Sequence, residues 1–203
     1  MMADIQESMR SGIEDQLRER FRKAAQSPQG LFAYPTGRAG LLGLGYPEAA
    51  LASLPESVQA CFCGVGNPFA AGLPEAGGRV LDVGCGAGVD ALVAAFYVGP
   101  GGRVDGLEFI PEMRRRAEAN AALAGAGAVL FHDGGAEALP FADASFDLLV
   151  SNGVYNLVLK KRLALAEAYR VLKPGGRLQV ADQILEGDAA PACVLSGPGD
   201  WAR

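Results

Sequence analysis

The hydrophobic pattern of this chain changes period near Arg79. Before that point, Ile5, Met9, Ile13, Leu17 and Phe21 recur every four positions, with Glu, Arg and Asp between them. That spacing predicts an amphipathic helix over residues 4–26, packed on the core by its apolar stripe. A lid over a site, or a helix for a partner, is the sharper alternative for the same stripe. Pro28, Gly30, Pro35, Gly37, Gly40, Gly43 and Gly45 then break regular structure as far as Pro47. Glu48 to Ala60 carries a short helical pattern, and Phe62 to Phe69 reads as a Gly/Pro/Asn loop with aromatic ends.

From Arg79 onward, strand and helix signals alternate. Strands are predicted at Val80–Val83, Arg103–Glu108, Ala128–His132, Phe146–Ser151 and Arg177–Asp182. Helices are predicted between them at Val89–Val98, Pro111–Ala124 and Lys161–Leu172, and Glu137–Ala144 reads as turn and loop. This alternation implies a doubly wound, Rossmann-like α/β fold with a mostly parallel sheet and right-handed crossovers. Ligands of such sheets bind beyond the carboxyl ends of the strands, at the switch point of the strand order.

Half of the 203 residues are hydrophobic, which suits one sizeable core. The net charge of −5 argues against a nucleic-acid partner. The basic runs Arg114-Arg115-Arg116 and Lys160-Lys161-Arg162 read as solvated helix faces. No secretory pattern opens the chain, and no apolar run nears the roughly 18 residues of a membrane span. The expectation is a cytoplasmic protein with a small-molecule substrate and no membrane partner; the pattern carries no signal for an oligomeric state. Its cysteines, Cys61, Cys63, Cys85 and Cys193, are then expected as reduced thiols.

The candidate chemistry centres on "VLDVGCGAGVD", Val80 to Asp90. Asp82 ends the first strand, Gly84, Gly86 and Gly88 follow, and a helix starts near Val89. Glycines permit torsions and close approach that a Cβ forbids, and a helix N-terminus presents unpaired N–H groups. A second acid, Glu108, ends the next strand, where it can accept hydrogen bonds from ribose hydroxyls. A dinucleotide requires G-x-G-x-x-G, and Val89 stands where the last glycine of that spacing would be. G-x-G-x-G after an acid suits S-adenosylmethionine, which has a ribose, an adenine and an amino acid tail but no phosphate.

"VLDVGCGAG", "GLEFIPEM", "EALPFADASFDLLVSNGV" and "EAYRVLKPGGRLQVAD" follow in that order. Together they resemble the class I S-adenosylmethionine-dependent methyltransferases over residues 79–182. "GVGNPF", "SNGVYNLV" and "EAYRVLKPGG" extend a narrower resemblance, to the arsenite methyltransferase family, over nearly the whole chain. The resemblance implies S-adenosyl-L-methionine as cofactor, with its tail at Asp82, Gly84, Gly86 and Gly88 and its ribose at Glu108. Phe109, Ile110 and Met113 would line it near the adenosine. The family's acid near the adenine is missing at Gly135, and Asp133 or the backbone near Ala136 would substitute. Ser151 and Asn152 would stand beside the methyl group and the substrate. The implied organisation is a helical and loop extension over residues 1–78 and a methyltransferase core over residues 79–203.

The arsenite resemblance implies trivalent arsenic, with thiols, as the acceptor. Thiolates are soft ligands that suit such a centre, and an arsenic lone pair attacks a sulfonium methyl without a general base. No resident metal is expected. The family's G-C-G loop reads Gly64-Val65-Gly66 here, and its S-N-C reads Ser151-Asn152-Gly153. Cys61 and Cys63 remain as candidate ligands, provided the loop brings both to one side, which the glycines beside them permit. Cys193 is a further thiol that could approach the site. Cys85 reads as a packing residue. A carbon, oxygen or nitrogen methyltransferase for another small molecule would need a base, with His132 the first candidate. An inactive cofactor-binding protein is the alternative outside enzymology. The family pattern has seven strands and five are predicted, so the core is expected to be C-terminally incomplete, lacking the last two. "GDWAR" looks like the segment preceding another family cysteine, so a stop at that codon, such as a misread UGA for selenocysteine, would produce this end.

Overall fold

The computed structural model describes residue 12 and residues 15–184. Residues 15–24 form helix α1, the described part of the predicted N-terminal helix. Leu17 and Phe21 of its stripe face inward, and Ile5, Met9 and Ile13 lie outside the described residues. Three short helices follow: α2 (Gly37–Gly43), α3 (Glu48–Ala52) and α4 (Glu56–Gln59), then a 3-10 turn at Pro68–Ala71.

The α/β part contains β1 (Arg79–Val83), α5 (Val89–Val98), β2 (Arg103–Leu107), α6 (Pro111–Leu123), β3 (Val129–His132), β4 (Phe146–Asn152), α7 (Lys161–Val171) and β5 (Leu172–Ala181). The five strands form one parallel sheet in the order β3-β2-β1-β4-β5. Central β1 is a run of buried residues, Val80 to Val83, as a strand covered on both faces must be. α5 is buried nearly all round because the sheet lies under it and the N-terminal elements lie over it. One core packs Val80, Leu92, Leu148 and Val150 with Leu41, Leu51 and Phe62. A second, on the other face, gathers Leu81, Val83, Leu107 and Phe146 with Ala164, Ala168 and Val171 of α7.

The order reverses between β1 and β4, so the switch point lies there, and the loops after both strands open at the same end of the sheet. Three sequence expectations are corrected. Residues expected to break regular structure form α2, because Gly40 lies against the Pro35 carbonyl where a Cβ would clash, and Gly37 and Leu41 are buried; tertiary packing overrides the low helix propensity of glycine. The single short helix expected over Glu48–Ala60 is two, divided at Pro55, which precedes α4. The fifth strand begins at Leu172, paired with Phe146, rather than at Arg177. Lys173 to Gly176 then bulge out before Arg177 pairs with Leu148, since Pro174 has no N–H and Gly175 is left-handed at φ +81°. Among the described residues no helix is long and apolar enough to cross a membrane.

Candidate active site

A cavity of about 390 Å³ opens at the switch point, within the range of about 300–1,000 Å³ usual for small-molecule sites. One half is built by the β1–α5 loop and the end of β2. Asp82 is 1 % exposed, and its Oδ2 has no hydrogen-bond partner. Burial, then the charges of Asp90 and Glu108, push its carboxyl well above the usual range. Glu108 is also buried and raised by burial, but it is anchored: Gly86 N–H donates to Oε2 and Ile110 N–H to Oε1, each at 2.9 Å. Gly84 turns the chain at φ +71°, where an added Cβ would also strike the Val154 side chain. Met113 lies so close to Gly86 that a Cβ there would be 3.1 Å from its Cε.

Asp90, in the first turn of α5, is the site acid that the sequence reading did not single out. It is buried and pushed up to about 6, burial being the main cause. Tyr46 Oη donates to its Oδ1 at 2.6 Å, and Asn152 Nδ2 donates to its Oδ2 at 3.0 Å. Asn152 also donates to the Gly66 carbonyl at 2.8 Å, and its Oδ1 accepts from Val65 N–H at 2.8 Å and Gly66 N–H at 3.1 Å. This network ties the Gly64–Gly66 loop to the sheet. Gly64 passes so close to the Asn152 amide that no Cβ fits.

The other half of the cavity is lined by Leu17 and Phe21 of α1, Tyr34, Cys61, Cys63, Val65, Gly153, Val154 and Leu157. Both expected thiols therefore reach one cavity. Cys61 donates to the Ser57 carbonyl at 3.3 Å and accepts from Arg116 Nε–H at 3.2 Å. Burial, helped by Glu108 and Asp90, pushes the Cys63 thiol up to about 12. Val65 and Gly153 face each other: a Cβ at Gly153 would sit 3.4 Å from both Val65 methyls. Among the described residues no group of three or more His, Cys, Asp and Glu could hold a metal ion.

Asp82, Gly84, Gly86, Glu108, Phe109, Ile110, Met113, Ala136, Cys61, Cys63 and Asn152 all line this cavity. Gly88 stands behind the lining, at φ +81°, with a Cβ there 3.0 Å from Ala117 Cβ and the Phe131 ring. Two expected site residues lie elsewhere. Ser151 is fully buried with its hydroxyl donating to the Val83 carbonyl at 3.0 Å, because strand neighbours alternate faces and Asn152 takes the cavity side. Asp133 points to solvent and pairs with Arg114 at 2.7 Å, outside the lining. His132 is likewise outside it, bound at Nε2 to Asp105 at 2.7 Å. Cys85 also borders the cavity, but its sulfur is packed where a Cβ on Gly106 would be 2.9 Å from it. Cys193 lies outside the described residues.

The profile of the methyltransferase domain family matches residues 74–192 of this chain. The chain belongs to that family. The chain is 40 % identical over 149 residues to an arsenite methyltransferase of Halobacterium salinarum, covering 73 % of the chain and 38 % of that protein. It is 39 % identical over 102 residues to a demethylmenaquinone methyltransferase of Geobacillus kaustophilus, covering 50 % of the chain and 44 % of that protein. The crystal structure of an arsenic (III) S-adenosylmethionine methyltransferase from Chlamydomonas reinhardtii superposes with a TM-score of 0.64 at 36 % identity, over 76 % of the chain and 56 % of that one. The chain thus spans under two thirds of the length of these relatives. It is a class I methyltransferase domain close to the arsenite methyltransferases, whose cofactor is S-adenosylmethionine.

The cavity of the methyltransferase domain fits that cofactor. The unpartnered Asp82 oxygen, with Asp90 and Glu108 around it, provides for a ligand bearing an ammonium and a sulfonium. The same three acids would repel the pyrophosphate of a dinucleotide.

Proposed function

We propose that this domain transfers a methyl group from S-adenosylmethionine to trivalent arsenic or a similar small, soft acceptor. The observation that carries the reading is that Cys61 and Cys63 line the same cavity as Asp82 and Glu108. Asp82 would take the cofactor's ammonium, and Glu108 would accept from the ribose hydroxyls with the lone pairs that Gly86 and Ile110 leave open. Phe109, Met113 and Ala136 would enclose the adenosine. Bound there, S-adenosylmethionine supplies an electrophilic methyl on a sulfonium. Cys61 and Cys63 would hold the acceptor, and Val65, Val154 and Leu157 would keep water from it. An arsenic lone pair needs no base, so orientation in a dry cavity supplies much of the catalysis.

The likeness to demethylmenaquinone methyltransferases, with the apolar walls Val65, Val154 and Phe21, favours a second reading: methylation of an apolar ring. That reaction wants a base, and His132 is engaged by Asp105 away from the cavity. Asp90, inside it and pushed up to about 6, is the better candidate. The two readings are separated by labelled methyl transfer to arsenite plus thiol, run beside quinones, phenols and amines. Label on arsenic alone supports the first reading, and label on a quinone or phenol alone overturns it.

A further inference from the structure

Arg116 departs from the solvated face expected of the basic run on α6. It is partly buried, and its Nε–H donates to Cys61 Sγ at 3.2 Å, joining α6 to the turn after α4. The sulfur is thus held at two points, since Cys61 also donates to the Ser57 carbonyl at 3.3 Å. It still lines the cavity. Cys63 lines the cavity in different company. Burial and the facing carboxylates Glu108 and Asp90 push its thiol up to about 12. The cation that does line the cavity, Arg18 of α1, lies over the Phe109 ring at 5.0 Å, and Arg116 reaches the Cys61 sulfur from behind the lining. Cys61 and Cys63 therefore have unlike neighbours in one cavity: the first touches a guanidinium and the second faces acids.

We propose that Arg116 is the positioning residue that makes Cys61 the anchoring thiol of the acceptor site. Its cation offsets the negative charge that builds on the Cys61 sulfur as the thiol proton leaves ahead of bonding to a soft electrophile, because charge-assisted hydrogen bonds are the stronger ones. Cys61 then forms the first bond to a trivalent arsenical and Cys63 the second. With arsenous acid, each step forms one As–S bond and breaks one As–O bond. The thiol proton leaves with the hydroxide as water, and arsenic stays trivalent. The identity of the ligand rests on the function proposed above; the order of the thiols does not.

The test is labelling of the cofactor-free protein with limiting iodoacetamide, each cysteine quantified by peptide mass spectrometry. Cys61 should be labelled about tenfold faster than Cys63 in the wild-type chain, as expected when one thiol gains a charge-assisted hydrogen bond and the other does not. Arg116→Gln should slow Cys61 by about the same factor and leave Cys63 unchanged, and Arg116→Lys should restore most of the Cys61 rate. Equal rates for the two thiols in the wild type would overturn the proposal, and this comparison needs no variant to fold. An Arg116→Gln chain that labels Cys61 at the wild-type rate would overturn it too. Iodoacetamide involves no arsenic, so the two claims fail separately. Unequal labelling without arsenite methylation would keep Arg116 in this role and remove the arsenical. Arsenite methylation with equal labelling would do the reverse.

Discussion

The two halves of the cavity are built in opposite ways. The half proposed for the cofactor comes from nearly contiguous chain: Asp82 to Asp90 is one strand end, one loop and one helix start, and Glu108 directly follows the adjacent strand. The half proposed for the acceptor is assembled from distant segments, with Leu17, Tyr34, Cys61, Val65, Gly153 and Leu157 meeting only in the folded chain. The first half offers buried carboxylates, and the second offers thiols and apolar walls. A contiguous motif fixes which cofactor is held, whereas the acceptor depends on side chains that no single motif contains. The Asn152 network is the joint between them, reaching Asp90 on one side and the Val65–Gly66 backbone on the other.

Substitutions that act on one half should leave a signature distinct from those that act on the other. The largest expected effect is Asp82→Asn. It should weaken S-adenosylmethionine binding by about 10- to 100-fold in calorimetry, the loss expected for one charge-assisted hydrogen bond. It should not lower the melting temperature, because the unpartnered Oδ2 contributes no bond to the cofactor-free fold. Gly84→Ala comes next: a Cβ at φ +71° against Val154 should cost on the order of 1–3 kcal/mol of stability by chemical denaturation and weaken cofactor binding with it. Tyr46→Phe acts at the joint. Losing the hydrogen bond to Asp90 should cost about 1 kcal/mol of stability, with acceptor turnover falling more than cofactor affinity as the Gly66 loop loosens.

The smallest expected effect is a pH slope. Burial raises Asp90 from its ordinary 3.8 to about 6, so the folded chain binds this proton more tightly than the unfolded one. Its contribution to stability therefore falls as pH rises from about 4 to about 6. Melting curves of the wild type and Asp90→Asn across that window should differ by this slope, and parallel curves would remove Asp90 from the buried acid group.

Asp82, the glycines and Glu108 were legible in the sequence because their geometry is local: a strand end, a tight turn and a helix start dictate it. Asp90 lies in the same stretch but is not marked by local sequence, since what marks it is Tyr46, which reaches it from the loop between α2 and α3 through tertiary packing. Ser151 was misplaced through strand alternation, a signal the sequence does contain: of two adjacent residues in β4, only one can face the cavity. The position after β3 points to Asp133, but its side chain is exposed and pairs with Arg114 on α6. The glycines of α2 read as breakers because the Pro35 carbonyl that requires Gly40 is visible only in three dimensions.

The central claim is that one cavity joins the cofactor to a thiol-held acceptor. It is tested most directly with the Cys61→Ser/Cys63→Ser double variant, by measuring cofactor affinity and labelled methyl transfer to arsenite on the same preparation. The account predicts cofactor affinity within about twofold of wild type and arsenite turnover lowered by more than about tenfold, far more than by Cys85→Ser, as expected when only the acceptor interaction is removed. Arsenite turnover in the double variant equal to that of the wild type would contradict it.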